Sequence, residues 1–283
     1  MAARQEAAGA EDARAVARML AGLGRAFGGA LIFSLPMLMT MELWDLGFAM
    51  DRGRLALLMI LAMPLLVGVA HRIGFEPSFG WREDLRDAFL AYGVGILAGA
   101  AILGVFGVIA PGMPADEVIG KVAIQSVPAA LGALLGRSQL GGEHPKGGDT
   151  RALSGYLGTL VLMLVGALYL GLNVAPTEEM VLIAYLMTPW HAIALVALSI
   201  LLMHGFVFAL AFRGGAERLA DTPWWSNFLR FTLVGYVLAL AISLYALWTF
   251  GRMDGLGAMP VLMSVVVLAF PAAIGAAAAR LIL

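Results

Sequence analysis

Four carboxylates lie beside predicted membrane segments, where carboxylate oxygens can bind a cation. Glu42 and Asp45 are three residues apart in MELWDLG, so they share one face of a helix. Glu178 and Glu179 are adjacent in NVAPTEEM, a loop without a basic residue. A carboxylate close to lipid is costly unless it faces a cavity or a counter-ion. We therefore predict that these four residues gather or bind a small cation on the outer side of a membrane.

Structural explanations of the same residues stay open. Thr177 is a favoured helix N-cap, and acidic residues directly after it would stabilise a first turn through the helix dipole. A helix beginning at Thr177 is expected in either case, re-entrant at a pore or resting on the surface. Selection for positive charge inside also empties the outer side of Lys and Arg, which leaves a negative balance by default. If span 1 continues to about residue 48, Glu42 lies inside the outer boundary of the membrane, where an acidic residue usually faces a cavity or a counter-ion.

Four further residues are candidates for a deeper pathway. His204 is predicted near the middle of span 6, where it would relay protons, line the path or make one interhelical hydrogen bond. Asn173 ends span 5, where it would line the path or make an interhelical hydrogen bond. Pro128 and Pro271 would kink or break spans 4 and 8. The chain has no cysteine, and carboxylates without thiolates favour hard cations such as H⁺, Na⁺, K⁺ or Ca²⁺.

The amino-acid composition predicts that these residues belong to, or lie next to, membrane-spanning helices. Hydrophobic residues make up 61% of the chain and charged residues 13%, against about 45–50% and 25% in soluble domains. The mean hydropathy is +0.90. Long apolar runs exclude a soluble protein, because a helix crosses a bilayer with roughly 20 mostly apolar residues. We predict an all-α bundle of eight spans, at approximately 28–44, 55–71, 87–110, 118–136, 153–173, 191–212, 229–250 and 259–279.

The positions of the basic residues predict the orientation of the spans. Of the 18 Lys and Arg, only four fall in the loops after spans 1, 3, 5 and 7, namely Arg52, Arg54, Lys121 and Arg252. Positive residues mark the cytoplasmic side, so both termini are expected in the cytoplasm. We expect a multi-pass protein of the bacterial inner membrane.

An internal repeat divides the chain. PAALGALLGR (128–137) matches PAAIGAAAAR (271–280) at an offset of 143, and 81–107 matches 225–251 at an offset of 144. We predict two four-helix repeats of parallel orientation. The predicted boundaries are an N-terminal cytoplasmic or interfacial helix (1–27), the first repeat (28–137), a cytoplasmic linker (138–152) and the second repeat (153–283).

The repeated segments also carry small residues at helix-packing spacing. Gly132 and Gly136 are four apart in span 4, and Ala272, Gly275, Ala276 and Ala279 offer the same close approach in span 8. Such faces line a pathway, form a central packing contact, or join two copies in a homo-oligomer. The sequence leaves these three roles open.

MELWDLG after the first span, NVAPTEEM after the fifth and eight helices together resemble an uncharacterised bacterial integral membrane family of unknown function. The resemblance implies no activity and no site residues. No enzyme motif is present, so neither catalysis nor a cofactor is expected, and nothing indicates a nucleic-acid partner. The leading hypothesis is a channel or carrier for a small cation. The alternative is a membrane sensor, scaffold or complex subunit that transports nothing.

Overall fold

A computed structural model describes residues 2–73, 80–140, 156–211 and 224–282. These residues form helices and contain no β-strand. We number the helices in chain order: α1 (Ala2–Leu38), α2 (Met41–Ala49), α3 (Arg52–Ile73), α4 (Trp81–Val105), α5 (Ala115–Leu140), α6 (Tyr156–Val174), α7 (Glu179–Leu186), α8 (Pro189–Ala211), α9 (Trp224–Asn227, a π-helical turn at Phe228–Leu233, then Val234–Thr249) and α10 (Ala258–Ile282).

Eight of the described helices are long and apolar enough to cross a membrane, as predicted. The first of these spans, Met19–Leu38, ends earlier than expected. Thr40 has an extended backbone (φ −99°, ψ 114°), which stops α1 and starts the separate short helix α2. The condition that span 1 continues to about residue 48 is therefore not met, and Glu42 lies outside that span.

The described helices form two compact units, and the first comprises Met1–Met39 with Ala62–Asp149. Its central helix is α5, which packs against α1 and α4. Glycines make these contacts close: a Cβ on Gly132 would lie only 2.5 Å from the carbonyl oxygen of Gly29, and a Cβ on Gly95 would lie 2.8 Å from the amide nitrogen of Ala130. Helix backbones therefore touch directly inside this unit, as small residues allow in a bilayer.

The second unit comprises Thr40–Leu61 with Thr150–Leu283. Its central helix is α10, which packs against α6, α8 and α9 and also contacts α7. Gly166 and Gly275 face each other so closely that a Cβ on either residue would overlap the carbonyl oxygen of the other. The segment 40–61 thus packs with the second half of the chain, although the repeat places it in the first.

The small-residue faces are filled within the units. Gly132 and Gly136 of α5 meet Gly29, and Gly275 of α10 meets Gly166. Of the three roles left open for these faces, the structure shows a packing contact. A homo-oligomer through other parts of these faces stays a prediction. Each helix also continues through its proline, since Pro128 lies inside α5 and Pro271 inside α10, so neither proline breaks its span.

The ends of α4 and α9 have the same geometry. Each ends on a phenylalanine followed by a glycine of positive φ, Gly107 (73°) and Gly251 (71°). The next residue donates its backbone N–H to the third-last helical carbonyl, Val108 to Leu103 and Arg252 to Leu247, both at 2.9 Å. This is the Schellman pattern, in which glycine accepts the left-handed conformation. The match supports the repeat over these residues, while the arrangement of whole halves stays a prediction.

Candidate functional site

Glu42 and Asp45 stand on α2, next to the span rather than within it. Glu42 lies in the first turn of α2 and is half-buried, whereas Asp45 is exposed. Neither forms an ion pair or a side-chain hydrogen bond to the part of the chain that the structure describes. Their carboxylates therefore keep their hydrogen-bonding capacity for water or a cation.

Glu178 and Glu179 begin the short helix α7, which confirms that a helix follows Asn173. It starts two residues later than predicted: Glu178 is the N-cap, and Glu179 is the first helical residue. The N-cap position of α7 is therefore not Thr177, whose hydroxyl donates to the carbonyl of Val174 at 2.9 Å. Glu42 and the two glutamates thus occupy equivalent places, at the start of a short helix between two spans, which the sequence repeat did not align.

The NVAPTEEM loop has no basic residue of its own, and Glu178 pairs instead with Arg252 from the turn after α9. Arg252 Nη1 lies 3.6 Å from Glu178 Oε1, and its Nη2 donates to the carbonyl of Pro176. The Glu178 side chain nevertheless remains 83% exposed. Glu178 is therefore a paired carboxylate open to solvent, and Glu179 beside it is exposed as well.

A second ion pair joins the start of α3 to the turn between α9 and α10. Arg54 donates two hydrogen bonds to the carboxylate of Asp254, at 2.9 and 3.0 Å. Its Nη1 also donates to the carbonyl of Trp248 at 2.9 Å, and its guanidinium carbon lies 5.0 Å from the centroid of that indole. The backbone N–H of Arg54 donates to Asp51 Oδ1 at 2.9 Å. Two carboxylates and one guanidinium therefore meet here.

These groups line a cavity of about 820 Å³, which we call the outer cavity because its loops belong to the predicted outer side. The lining combines apolar side chains with the charged groups just described, so it has one negative charge in excess. Its residues all belong to the second unit: Leu46, Ala49, Met50, Asp51, Gly53, Arg54, Trp248, Thr249, Phe250, Gly251 and Asp254.

Every one of the four basic residues assigned to the outer side has an oxygen partner. Besides Arg54 and Arg252, Arg52 donates to the carbonyl of Gly47 at 2.9 Å. In the first unit, Lys121 Nζ lies 2.6 Å from Glu117 Oε1. The excess of carboxylates on this side is thus left without basic partners. Within the described ranges, no three His, Asp or Glu side chains converge to hold a metal ion. The role of the four predicted carboxylates in ion binding stays a prediction.

The deeper candidates are not among the residues that line the outer cavity. His204 Nδ1 lies 2.9 Å from Thr232 Oγ1, and its ring meets Phe228 edge to face at 5.1 Å between centroids. This is the interhelical hydrogen bond expected of a structural histidine. Asn173 Nδ2 donates to the carbonyl of Tyr169 within its own helix at 2.7 Å. Neither residue lines the outer cavity, nor does Pro271, and Pro128 belongs to the first unit.

Two groups of polar residues were missed as sites by sequence reasoning. Asp51, Arg54 and Asp254 were counted among the charges of the outer side, but Arg54 and Asp254 are 200 residues apart and no motif joins them. In the first unit, His71 Nδ1 lies 2.6 Å from Oδ2 of the buried Asp84. Asp84 precedes the predicted span 87–110 by three residues, and no motif in the sequence joins it to His71.

Comparison with known proteins adds a family. Residues 22–283 match the family described as "Putative integral membrane protein (DUF2391)". No curated protein and no solved structure matches the chain. The family description gives a membrane location and no activity, which agrees with the resemblance drawn from MELWDLG and NVAPTEEM.

Proposed function

Since the chain belongs to the DUF2391 family of integral membrane proteins, we propose that it moves a small cation across the membrane and that the ion enters at the outer cavity. The observation that carries this proposal is the charge of the cavity lining, where Asp51 and Asp254 face a single base, Arg54. In this proposal the protein is a transport protein and not an enzyme, and its two termini are cytoplasmic.

The hydrogen bonds of Arg54 support an entrance that attracts cations. Both oxygens of Asp254 are taken by Arg54, so this pair contributes little net field. Asp51 uses one oxygen to accept the backbone N–H of Arg54, and its charge has no basic counterpart in the lining. A concave surface with one sign of charge and apolar walls raises the local concentration of counter-ions.

The chemistry of the lining limits the kind of ion. Carboxylate oxygens bind hard cations, and the chain has no cysteine to select a soft metal. In this proposal the ion enters the outer cavity with its water shell. H⁺, Na⁺, K⁺ and Ca²⁺ are therefore the ions to test, and Glu42, Asp45 and Glu179 would add to the attraction from outside.

A different class of function has one observation in its favour. Glu178, one of the predicted ion-binding residues, is paired with Arg252 and is 83% exposed. A sensor, scaffold or complex subunit needs no hydrated path to such a residue and would leave it paired or in bulk water. This second candidate is a membrane component whose polar residues fix its loops.

The test is cation flux into liposomes that contain the purified protein, under separate gradients of the four ions. Asp51→Asn removes the unpaired charge of the cavity, and we expect flux to fall. Asp116→Asn is the matched control, because Asp116 is an exposed carboxylate of the predicted outer side that does not line the cavity. Equal flux in Asp51→Asn and wild type would refute the entrance. Folded protein without flux for any ion would favour the sensor or scaffold.

A further inference from the structure

Arg280, in the last turn of α10, has a charge without a partner among the described residues. Its guanidinium carbon lies 3.9 Å from the centroid of the Phe231 ring. Among the residues that the structure describes it forms no ion pair and donates no hydrogen bond, and its Nη1 is buried without an acceptor. A guanidinium stays charged at all physiological pH values, so this positive charge is permanent.

The other described arginines of the second unit differ in this respect. Arg52, Arg54 and Arg252 each donate to carbonyl or carboxylate oxygens, and the Arg230 side chain is exposed. Arg280 is half-buried and lies on an aromatic ring, which satisfies one face of the guanidinium and none of its N–H groups. A half-buried charge is costly unless it is paired and hydrogen-bonded, so the arrangement lacks an anion.

The Phe231 ring, on which Arg280 rests and which we call the aromatic floor, is held in place by its neighbours. Phe231 lies in the π-helical turn of α9 and contacts Tyr156 edge to face at 5.6 Å between centroids. The hydroxyl of Tyr156 donates to the carbonyl of Arg230 at 3.0 Å, which satisfies a carbonyl of this turn. Single π-helical turns inside α-helices are frequent at functional sites. The floor therefore fixes the plane of the guanidinium.

The position of Arg280 indicates the source of the anion. It is the last residue of the span Ala258–Arg280, so it lies at the level of lipid head groups. A fixed guanidinium matches the two oxygens of a phosphate diester, and basic groups between membrane helices commonly hold anionic lipid head groups. We propose that Arg280, resting on Phe231, binds the phosphate group of an anionic phospholipid. This inference does not depend on cation transport.

The experiment measures the melting temperature of the full-length protein in detergent, with added phosphatidylglycerol or phosphatidylcholine. We expect phosphatidylglycerol to raise the melting temperature of the wild type above the phosphatidylcholine value. Arg280→Gln should lose that difference, and Arg280→Lys should retain part of it. Comparing the two lipids within each variant removes any general loss of stability that a substitution causes.

Two controls decide between outcomes. Arg86→Gln removes an exposed arginine that lies 3.7 Å from Asp87, and it should keep the full phosphatidylglycerol effect. Inorganic phosphate added with phosphatidylcholine tests for a free anion. The proposal is overturned if Arg280→Gln keeps the phosphatidylglycerol effect, if Arg86→Gln abolishes it equally, or if inorganic phosphate reproduces it in the wild type.

Discussion

Arg54 joins more groups than any other described side chain of the outer cavity: a carboxylate, a carbonyl and an indole ring. The carbonyl and the indole belong to Trp248 at the end of α9, and the carboxylate belongs to Asp254 in the turn that follows. Arg54 therefore holds the beginning of α3 to the end of α9 and to that turn. Arg54 and Asp254 form a hydrogen-bonded pair of opposite charges, although both remain accessible to water. The effects of substituting these two residues on stability should therefore depend on each other.

We predict that Arg54→Gln and Asp254→Asn each lower the melting temperature, and that the double variant loses less than the sum of the two. The reason is that either single change already removes the same pair. The measurement is a double-mutant cycle by thermal unfolding in detergent. Arg52→Gln, which loses only bonds to backbone carbonyls of α2, should combine additively with Asp254→Asn. Strict additivity of Arg54 with Asp254 would contradict the pair.

Arg252 and Glu178 should respond unequally to substitution. Glu178 is largely exposed, so Glu178→Gln is expected to leave stability nearly unchanged. Arg252→Gln removes the bond to the carbonyl of Pro176 as well, with an expected loss of about 1–2 kcal/mol. Denaturant unfolding of both variants measures the difference. Equal effects would mean that the carbonyl bond contributes nothing to holding the loop before α7.

At the scale of helices, the contact of α6 with α10 depends on two glycines. The methyl group added by Gly166→Ala would overlap the carbonyl oxygen of Gly275, so the two helices must move apart. We expect a loss of roughly 1–3 kcal/mol, as for other overpacked interiors. Gly205→Ala in α8 is the control, because no atom lies within 4 Å of its added Cβ. That change should be neutral or should stabilise by up to about 1 kcal/mol. Thermal unfolding checks both variants.

The spans could be predicted because each is a long apolar run, and the run alone forces a helix in lipid. The end of span 1 could not be predicted, because the helix stops at Thr40 within an apolar stretch. No glycine or proline, the usual signals of a helix end, lies directly beside Thr40. The outer cavity could not be predicted from the sequence for another reason. The repeat predicts which helices correspond, but it does not say that Arg54 meets Asp254 across 200 residues.

For the whole molecule, the positions of Lys and Arg predict which loops face the outside. The chain has no cysteine, so a single introduced thiol reports on one loop without background. Asp116→Cys should react with a membrane-impermeant maleimide in intact cells, and Lys146→Cys only after permeabilisation. Labelling yield by mass spectrometry gives the answer. The opposite pattern would invert the orientation and place the outer cavity in the cytoplasm.

The composition of the second unit has a consequence for biosynthesis. Its segment Thr40–Leu61 leaves the ribosome early, while Asp254 follows Arg54 by 200 residues. At about 5–20 residues per second, translation separates the two charges by roughly 10–40 s. During that interval the nascent chain holds Arg54 at the membrane surface without its carboxylate. A ribosome that stalls in this window leaves an incomplete protein with an unpaired charge and exposed helices, which membrane proteases can recognise before a full-length chain exists.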